Sequence, residues 1–146
     1  MDDNNHYRAL EKMYLAAPIN EIFKTTILVS NESAEIGIEV NRKLFHAGGA
    51  VHGSIYFKIL DDAAFFAANS IVTDYFLLTK SFTIYLTRPI SSGYMKSVGK
   101  IVNKAKKQII TESFVYNDQG VQIGSGNGIF VKSKLSMDNF LLYNGV

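Results

Sequence analysis

The stretch from Gly53 to about Thr73 constrains this chain more than any other. It carries Ala63, Ala64, Ala67 and Ala68 among large apolar residues, so a helix built from it is apolar on nearly every side. Such a helix must be buried. Its length approaches that of a membrane span, yet Lys58, Asp61, Asp62 and Asn69 interrupt it, which marks the core helix of a soluble domain.

What surrounds that helix reads differently. Leu10, Met13 and Tyr14 recur at helical spacing in a short leading helix over about residues 6–17, which Pro18 ends by forcing Ala17 out of helical geometry. Ile22 to Val29 reads as a strand. From Ala34 to Val40 the pattern alternates, with Ile36, Ile38 and Val40 on one face and Glu35 and Glu39 on the other. Beyond Leu78 the period is two again, and turn signals fall at Arg88 to Gly93, Ala105 to Lys107 and Asn117 to Gly120. The order is helix, two strands, long helix, four strands. One apolar helix among antiparallel strands needs a sheet to wrap it, which predicts an α+β fold with six strands around the central helix. A six-stranded sheet leaves an edge to cover, and a second copy of the chain is the usual remedy, so a homodimer or homotetramer is expected.

Size and charge narrow the function. With 146 residues the chain holds one core, so residues 1–146 are read as a single domain. A formal net charge of +2 argues against nucleic acid as a partner. The absence of cysteine removes disulfides, thiolate metal sites and cysteine nucleophiles, and suits a reducing compartment. The opening Met1-Asp2-Asp3-Asn4-Asn5 lacks the basic and apolar regions of a signal peptide, so a cytoplasmic location is expected, without membrane attachment.

The chemistry concentrates between His46 and Asp62. Glycines at 48, 49 and 53 let backbone approach a ligand, and a helix starting at Gly53 offers unpaired N–H groups and the positive end of its dipole, a candidate oxyanion site. An ordinary loop-to-helix turn would look the same. Asp62 has Lys58 four residues before it and shares a face with Asn69, which suits a polar stripe. Asp61 has Phe57 and Phe65 four residues to either side. A carboxylate there is partly desolvated and correspondingly basic, which favours a functional group over a structural one.

Other readings are weaker. His46 and His52 are six residues apart with no third ligand in view, so no metal is expected. No Gly-x-Ser-x-Gly elbow occurs and no histidine follows His52, which argues against a serine triad. The run Gly124-Ser-Gly-Asn-Gly128 leads into Ile129-Phe130-Val131, a strand where a phosphate loop needs a helix; small residues that let a strand curve explain it. Lys100, Lys104, Lys106 and Lys107, with Arg88 on another turn, could hold the phosphates of a nucleotide-like group, or simply be solvated turn residues.

The stretch His52-Gly-Ser-Ile-Tyr-Phe-Lys-Ile-Leu-Asp61-Asp-Ala-Ala resembles the His-Gly-Gly, seven residues, Asp/Glu-x-Ala signature of hotdog-fold acyl-coenzyme A thioesterases, in the branch related to the phenylacetate-degradation enzyme. Thr83 to Pro89 resembles that family's strand ending in a proline turn, and Asn117 to Gly120 its late hairpin; together the likeness covers roughly residues 20–132. The resemblance implies a hotdog fold with active sites at a dimer interface and an acyl-coenzyme A substrate, with coenzyme A as part of that substrate and no separate cofactor. It implies Asp61 as general base or nucleophile, the Gly53 N–H as the group that polarises the carbonyl, and His52 as an orienting residue. It also places His46 where many relatives have an asparagine and Thr79 where some have a serine or threonine, while Ser54 replaces the second glycine. An acyl-coenzyme A binding domain without turnover, and a dehydratase or hydratase built on His52 and Asp61, are the alternatives.

Overall fold

The computed structural model describes residues 2–144. Helix α1 (Asp3–Ala16) starts ahead of its apolar periodicity because Asp2 caps it, accepting the Asn5 N–H at 2.7 Å. Pro18–Glu21 then close a 3-10 turn in place of the expected strand start, so β1 runs Thr25–Ser30 and Ile22 is left exposed. A two-residue turn with Glu32 at φ 58° leads to β2 (Ser33–Glu39).

Helix α2 (Gly53–Asn69) stops short of Thr73, and its last residues explain why. Ser70 turns its hydroxyl back onto the Ala67 carbonyl at 2.7 Å, and the buried Asn69 amide accepts the Leu77 N–H at 3.3 Å, reversing the chain. Asn69 therefore belongs to the core rather than to a solvated polar stripe. His6 joins the same knot, its Nε2 donating to the Asn69 carbonyl at 2.9 Å with Tyr143 Oη 2.6 Å from its Nδ1.

The remaining strands are β3 (Tyr75–Leu86), β4 (Tyr94–Lys104), β5 (Gln108–Asn117) and β6 (Gln122–Ser136). All neighbours pair antiparallel in the order β1-β2-β4-β5-β6-β3, and α2 packs across that sheet. Ile59, Leu60, Ala63 and Ala67 are fully buried, with Ile36, Ile38, Met95 and Val115 in the same core; each large side chain contributes roughly 1.5–3 kcal/mol by leaving water. Contact is closest at Gly99, where an added Cβ would lie 2.2 Å from the Ala63 carbonyl oxygen. Two buried hydroxyls from the sheet, Ser97 and Ser113, donate to the Ile59 and Leu60 carbonyls of the helix at 2.5 and 2.9 Å.

β1 and β3 form the two edges of the sheet. On β1, the outward backbone of Val29 is bound by α1: Arg8 donates to its carbonyl at 2.8 Å and Glu11 accepts its N–H at 2.7 Å, while the two side chains pair with each other at 2.8 Å. Among the described residues no helix is long and apolar enough to cross a membrane.

Candidate active site

α2 and β3 lie side by side and run in opposite directions, and the i, i+4 stripe of the helix meets the strand residue by residue. Gly53 abuts Leu86, the Phe57 and Phe82 rings sit 5.5 Å apart, Thr79 Oγ1 donates to Asp61 Oδ1 at 3.0 Å, and the Phe65 and Phe76 rings sit 5.4 Å apart. Thr79 and Phe82 differ in parity along β3, so a regular strand would send them to opposite faces. A bulge between Thr79 and Ser81 inserts the extra residue Lys80 and returns both to the helix side. The glycine run of β6 serves the same wall: a Cβ at Gly126 or Gly128 would strike the Phe82 ring at 2.6 or 2.4 Å. The segment is the expected strand, and its small residues make room for an aromatic ring.

Asp61 lines a cavity of about 340 Å³ together with Met13, Phe65, Phe76, Leu77 and Thr79. Burial pushes its carboxyl up to about 6; the Thr79 hydrogen bond and Lys58 hold it back, while Asp62 adds to the rise. A carboxyl so placed is ionised at neutral pH yet poorly hydrated, which suits proton abstraction or nucleophilic attack. Asp62, one residue on, has different company. It accepts from Lys58 Nζ at 2.7 Å and from the Tyr14 hydroxyl at 2.9 Å, and Lys58 lies over the Tyr14 and Phe23 rings at 5.4 and 5.5 Å. Burial pushes Asp62 up as well, with Lys58 and Tyr14 pulling back. Burial and Asp62 also raise the Tyr14 phenol, which stays protonated and so remains a donor. Asn20 shares the cavity, its amide donating to the Tyr14 carbonyl at 2.7 Å while its buried Oδ1 has no partner among the described residues.

The other expected site residues lie elsewhere. His52 caps α2 through its ring, Nδ1 accepting the Ser54 N–H at 3.0 Å with the Ser54 hydroxyl at 2.8 Å. The Gly53 N–H has no protein partner among the described residues, as a helix's first N–H groups lack one unless capped. Gly53 lines a second cavity, of about 310 Å³, with His46 and Arg88, and the Tyr56 hydroxyl fixes the Arg88 carbonyl at 2.7 Å. His46 turns inward on its own loop, accepting the Gly48 N–H at 2.9 Å. Eight residues of helix, roughly 12 Å at 1.5 Å per residue, separate Gly53 from Asp61. A single chain therefore brings Asp61 and Thr79 together and holds Gly53, His46 and Arg88 as a separate group.

The basic residues divide too. Lys106 and Lys107 stand exposed on the β4–β5 turn near Leu77, away from Arg88; Lys104 is paired with Glu32, and Lys100 lies further along β4. Among the described residues no three histidine, aspartate or glutamate side chains gather as metal ligands. Tyr14 and Asn20 escaped the sequence reading because they approach Asp61 from α1 and the following turn, more than forty positions away, and nothing local marks either.

A single helix gripped by a six-stranded antiparallel sheet, with a desolvated carboxylate where helix and edge strand meet, defines a hotdog-fold protein. The chain belongs to the thioesterase superfamily, whose family model matches residues 48–123. Solved structures agree on the fold. The PaaI protein from the phenylacetic acid degradation operon of Escherichia coli superimposes with a TM-score of 0.83 at 15% identity, covering 92% of this chain and 97% of that one. A mutant phenylacetic acid degradation protein PaaI from Thermus thermophilus gives 0.72 at 18% identity, covering 80% and 99%. A thioesterase from Haemophilus influenzae gives 0.76 at 10%, covering 86% and 88%. A search of curated proteins finds no match.

Proposed function

We propose that the protein hydrolyses a coenzyme A thioester, with Asp61 as the carboxylate that attacks or activates water and the Gly53 N–H as donor to the carbonyl oxygen. The observation that carries this reading is the Asp61 carboxyl itself, pushed up to about 6 by burial in an aromatic cavity and steadied by Thr79. Water adds to the carbonyl carbon as Asp61 takes its proton, the carbon–sulfur bond breaks, and the proton passes to the departing thiolate, leaving the free acid. Direct attack by Asp61 followed by hydrolysis of the anhydride gives the same products. The cavity beside Asp61, of about 340 Å³, takes the acyl group. Arg88, beside Gly53, and the turn residues Lys104, Lys106 and Lys107 are the candidates for the coenzyme A phosphates, and His52 and His46 orient the loop between.

On this reading the separation of Asp61 from Gly53 is bridged by a second copy, and the working unit is a homodimer or a homotetramer. Because α2 and β3 run in opposite directions, a two-fold axis near Phe82, midway between Thr79 and Leu86, sets Asp61 of one copy against Gly53 of the other. The exposed residues Tyr75, Leu78, Tyr85 and Leu86 on the β3 edge supply the apolar surface for that contact.

A panel of acyl-coenzyme A esters assayed for thiol release, with Asp61→Asn alongside, tests the reading. Wild type should turn over compact acyl groups, and Asp61→Asn should lose at least about 10²-fold. Binding without thiol release would favour a carrier, and hydration of an enoyl ester without thiol release would favour a hydratase. A fully active monomer in light scattering would remove the shared site.

A further inference from the structure

The cavity holds two adjacent carboxylates and one half-buried ammonium, more charge than one proton transfer requires. Among the described residues Asp61 is touched by a neutral hydroxyl, Thr79, and makes no ion pair, whereas Asp62 is held by Lys58 Nζ at 2.7 Å and by the Tyr14 hydroxyl at 2.9 Å. Lys58 in turn is fixed by its salt bridge and by two aromatic faces, leaving its side chain 13% exposed. An interior ion pair so poorly solvated contributes little net stability, so its presence beside a reactive group calls for another reason.

We propose that Lys58 and Asp62 are a positioning pair for Asp61: the ammonium is spent on Asp62, so that Asp61 is the carboxylate that takes up and releases the proton near neutral pH. The inference rests on Asp61 being the base of the reading above. The groups facing Asp61 are few. Its own helix supplies Lys58 and Asp62, β3 supplies Thr79, α1 supplies Tyr14 acting through Asp62, and the 3-10 turn supplies the neutral Asn20. Two members of that set carry charge, of opposite sign, and they cancel at Asp61 only while both are present.

Removing either one unbalances Asp61 in a known direction. In Lys58→Met the attraction that favours ionised Asp61 is lost and Asp62 is left as a like charge or as a partner sharing its proton; in both cases Asp61 ionises at higher pH. In Asp62→Asn the repulsion is lost and Lys58 is freed towards Asp61; in both cases Asp61 ionises at lower pH. The double variant restores a neutral neighbourhood.

The test is the pH dependence of kcat/KM for thiol release from pH 4.5 to 9. Relative to wild type, the acid limb should move up by about one pH unit in Lys58→Met and down by about one in Asp62→Asn. It should return to its original place in Lys58→Met/Asp62→Asn and stay there in Lys58→Arg. The position of a limb does not depend on how much of a preparation is folded, and if Lys58→Met yields no protein the other three variants still decide. Lost rates with unmoved limbs, or limbs moving together, would overturn the pairing. A fully active Asp61→Asn would instead overturn the assignment of the base.

Discussion

Replacing Asp61 with asparagine should do two things at once: abolish turnover and stabilise the protein. The carboxyl ionises near 3.8 in an unfolded chain and near 6 in the fold, a difference corresponding to about 3 kcal/mol against the folded state once the group is charged. The sign follows from the direction of the shift. Below pH 3.8 the group is protonated in both states and costs nothing; as pH rises through 6 the folded state must carry an ill-solvated charge, and above about 7 the cost is complete. Asparagine keeps an oxygen to accept from Thr79 but never ionises. Part of the 3 kcal/mol is recovered by residual solvation, so we expect a net gain of about 1–2 kcal/mol above pH 7, or about 3–7 °C in Tm for a domain of this size. Melting curves of wild type and Asp61→Asn from pH 4 to 8.5, at one protein concentration because any self-association shifts Tm, measure it. The two Tm values should nearly coincide at pH 4 and separate as pH rises through 6, with Asp61→Asn the higher. If Asp61→Asn melts lower at pH 8, or the gap is independent of pH, Asp61 is not a desolvated carboxylate, and the argument for its basicity goes with it.

Thr79→Val keeps the shape of the side chain but removes the donor that holds the Asp61 carboxyl down, so the acid limb of kcat/KM should move to higher pH and the rate at pH 6 should fall several-fold. Gly99→Ala drives a methyl into the Ala63 carbonyl at 2.2 Å, and chemical denaturation should show a loss of about 3 kcal/mol or a failure to fold. Activity should withstand exhaustive chelation, since among the described residues no third ligand gathers with His46 and His52; loss on chelation with recovery on adding zinc would require a different mechanism.

The buried helix and the strand periods were legible because burial and pleating write themselves into local sequence: α2 is apolar on all sides and the later strands alternate. The arrangement of six strands around one helix, the half-buried environment of Asp61 and the strand character of Gly124 to Gly128 followed from such local patterns, whereas the hotdog fold was implied by the resemblance of the stretch from His52 to Ala64. What failed to show was whatever depends on a single hydrogen bond or on distant chain. The strand expected from Ile22 starts at Thr25 because Pro18–Glu21 close a turn, and α2 ends at Asn69 because one amide accepts the Leu77 N–H. The bulge at Lys80 leaves no mark in composition, yet without it Thr79 would face away from Asp61. Asp62 read as one half of an i, i+4 surface pair, and it does pair with Lys58; α1 lying over both, with Tyr14 reaching Asp62 from 48 positions away, makes that pair an interior one.

The grip of Arg8 and Glu11 on Val29 bears on how far an assembly of this chain can grow. A strand ladder is a template at each free end, and a sheet with two live ends can add copies without limit, which is the geometry of fibres. Here the β1 end is stoppered: an incoming strand would have to evict a guanidinium and a carboxylate that already satisfy both outward groups of Val29 and each other. Growth by strand addition is left with the β3 end alone, and joining two such ends consumes both. The leading helix, which lies outside the segment matched by the family model, thus obstructs strand addition at Val29 on one of the sheet's two ends.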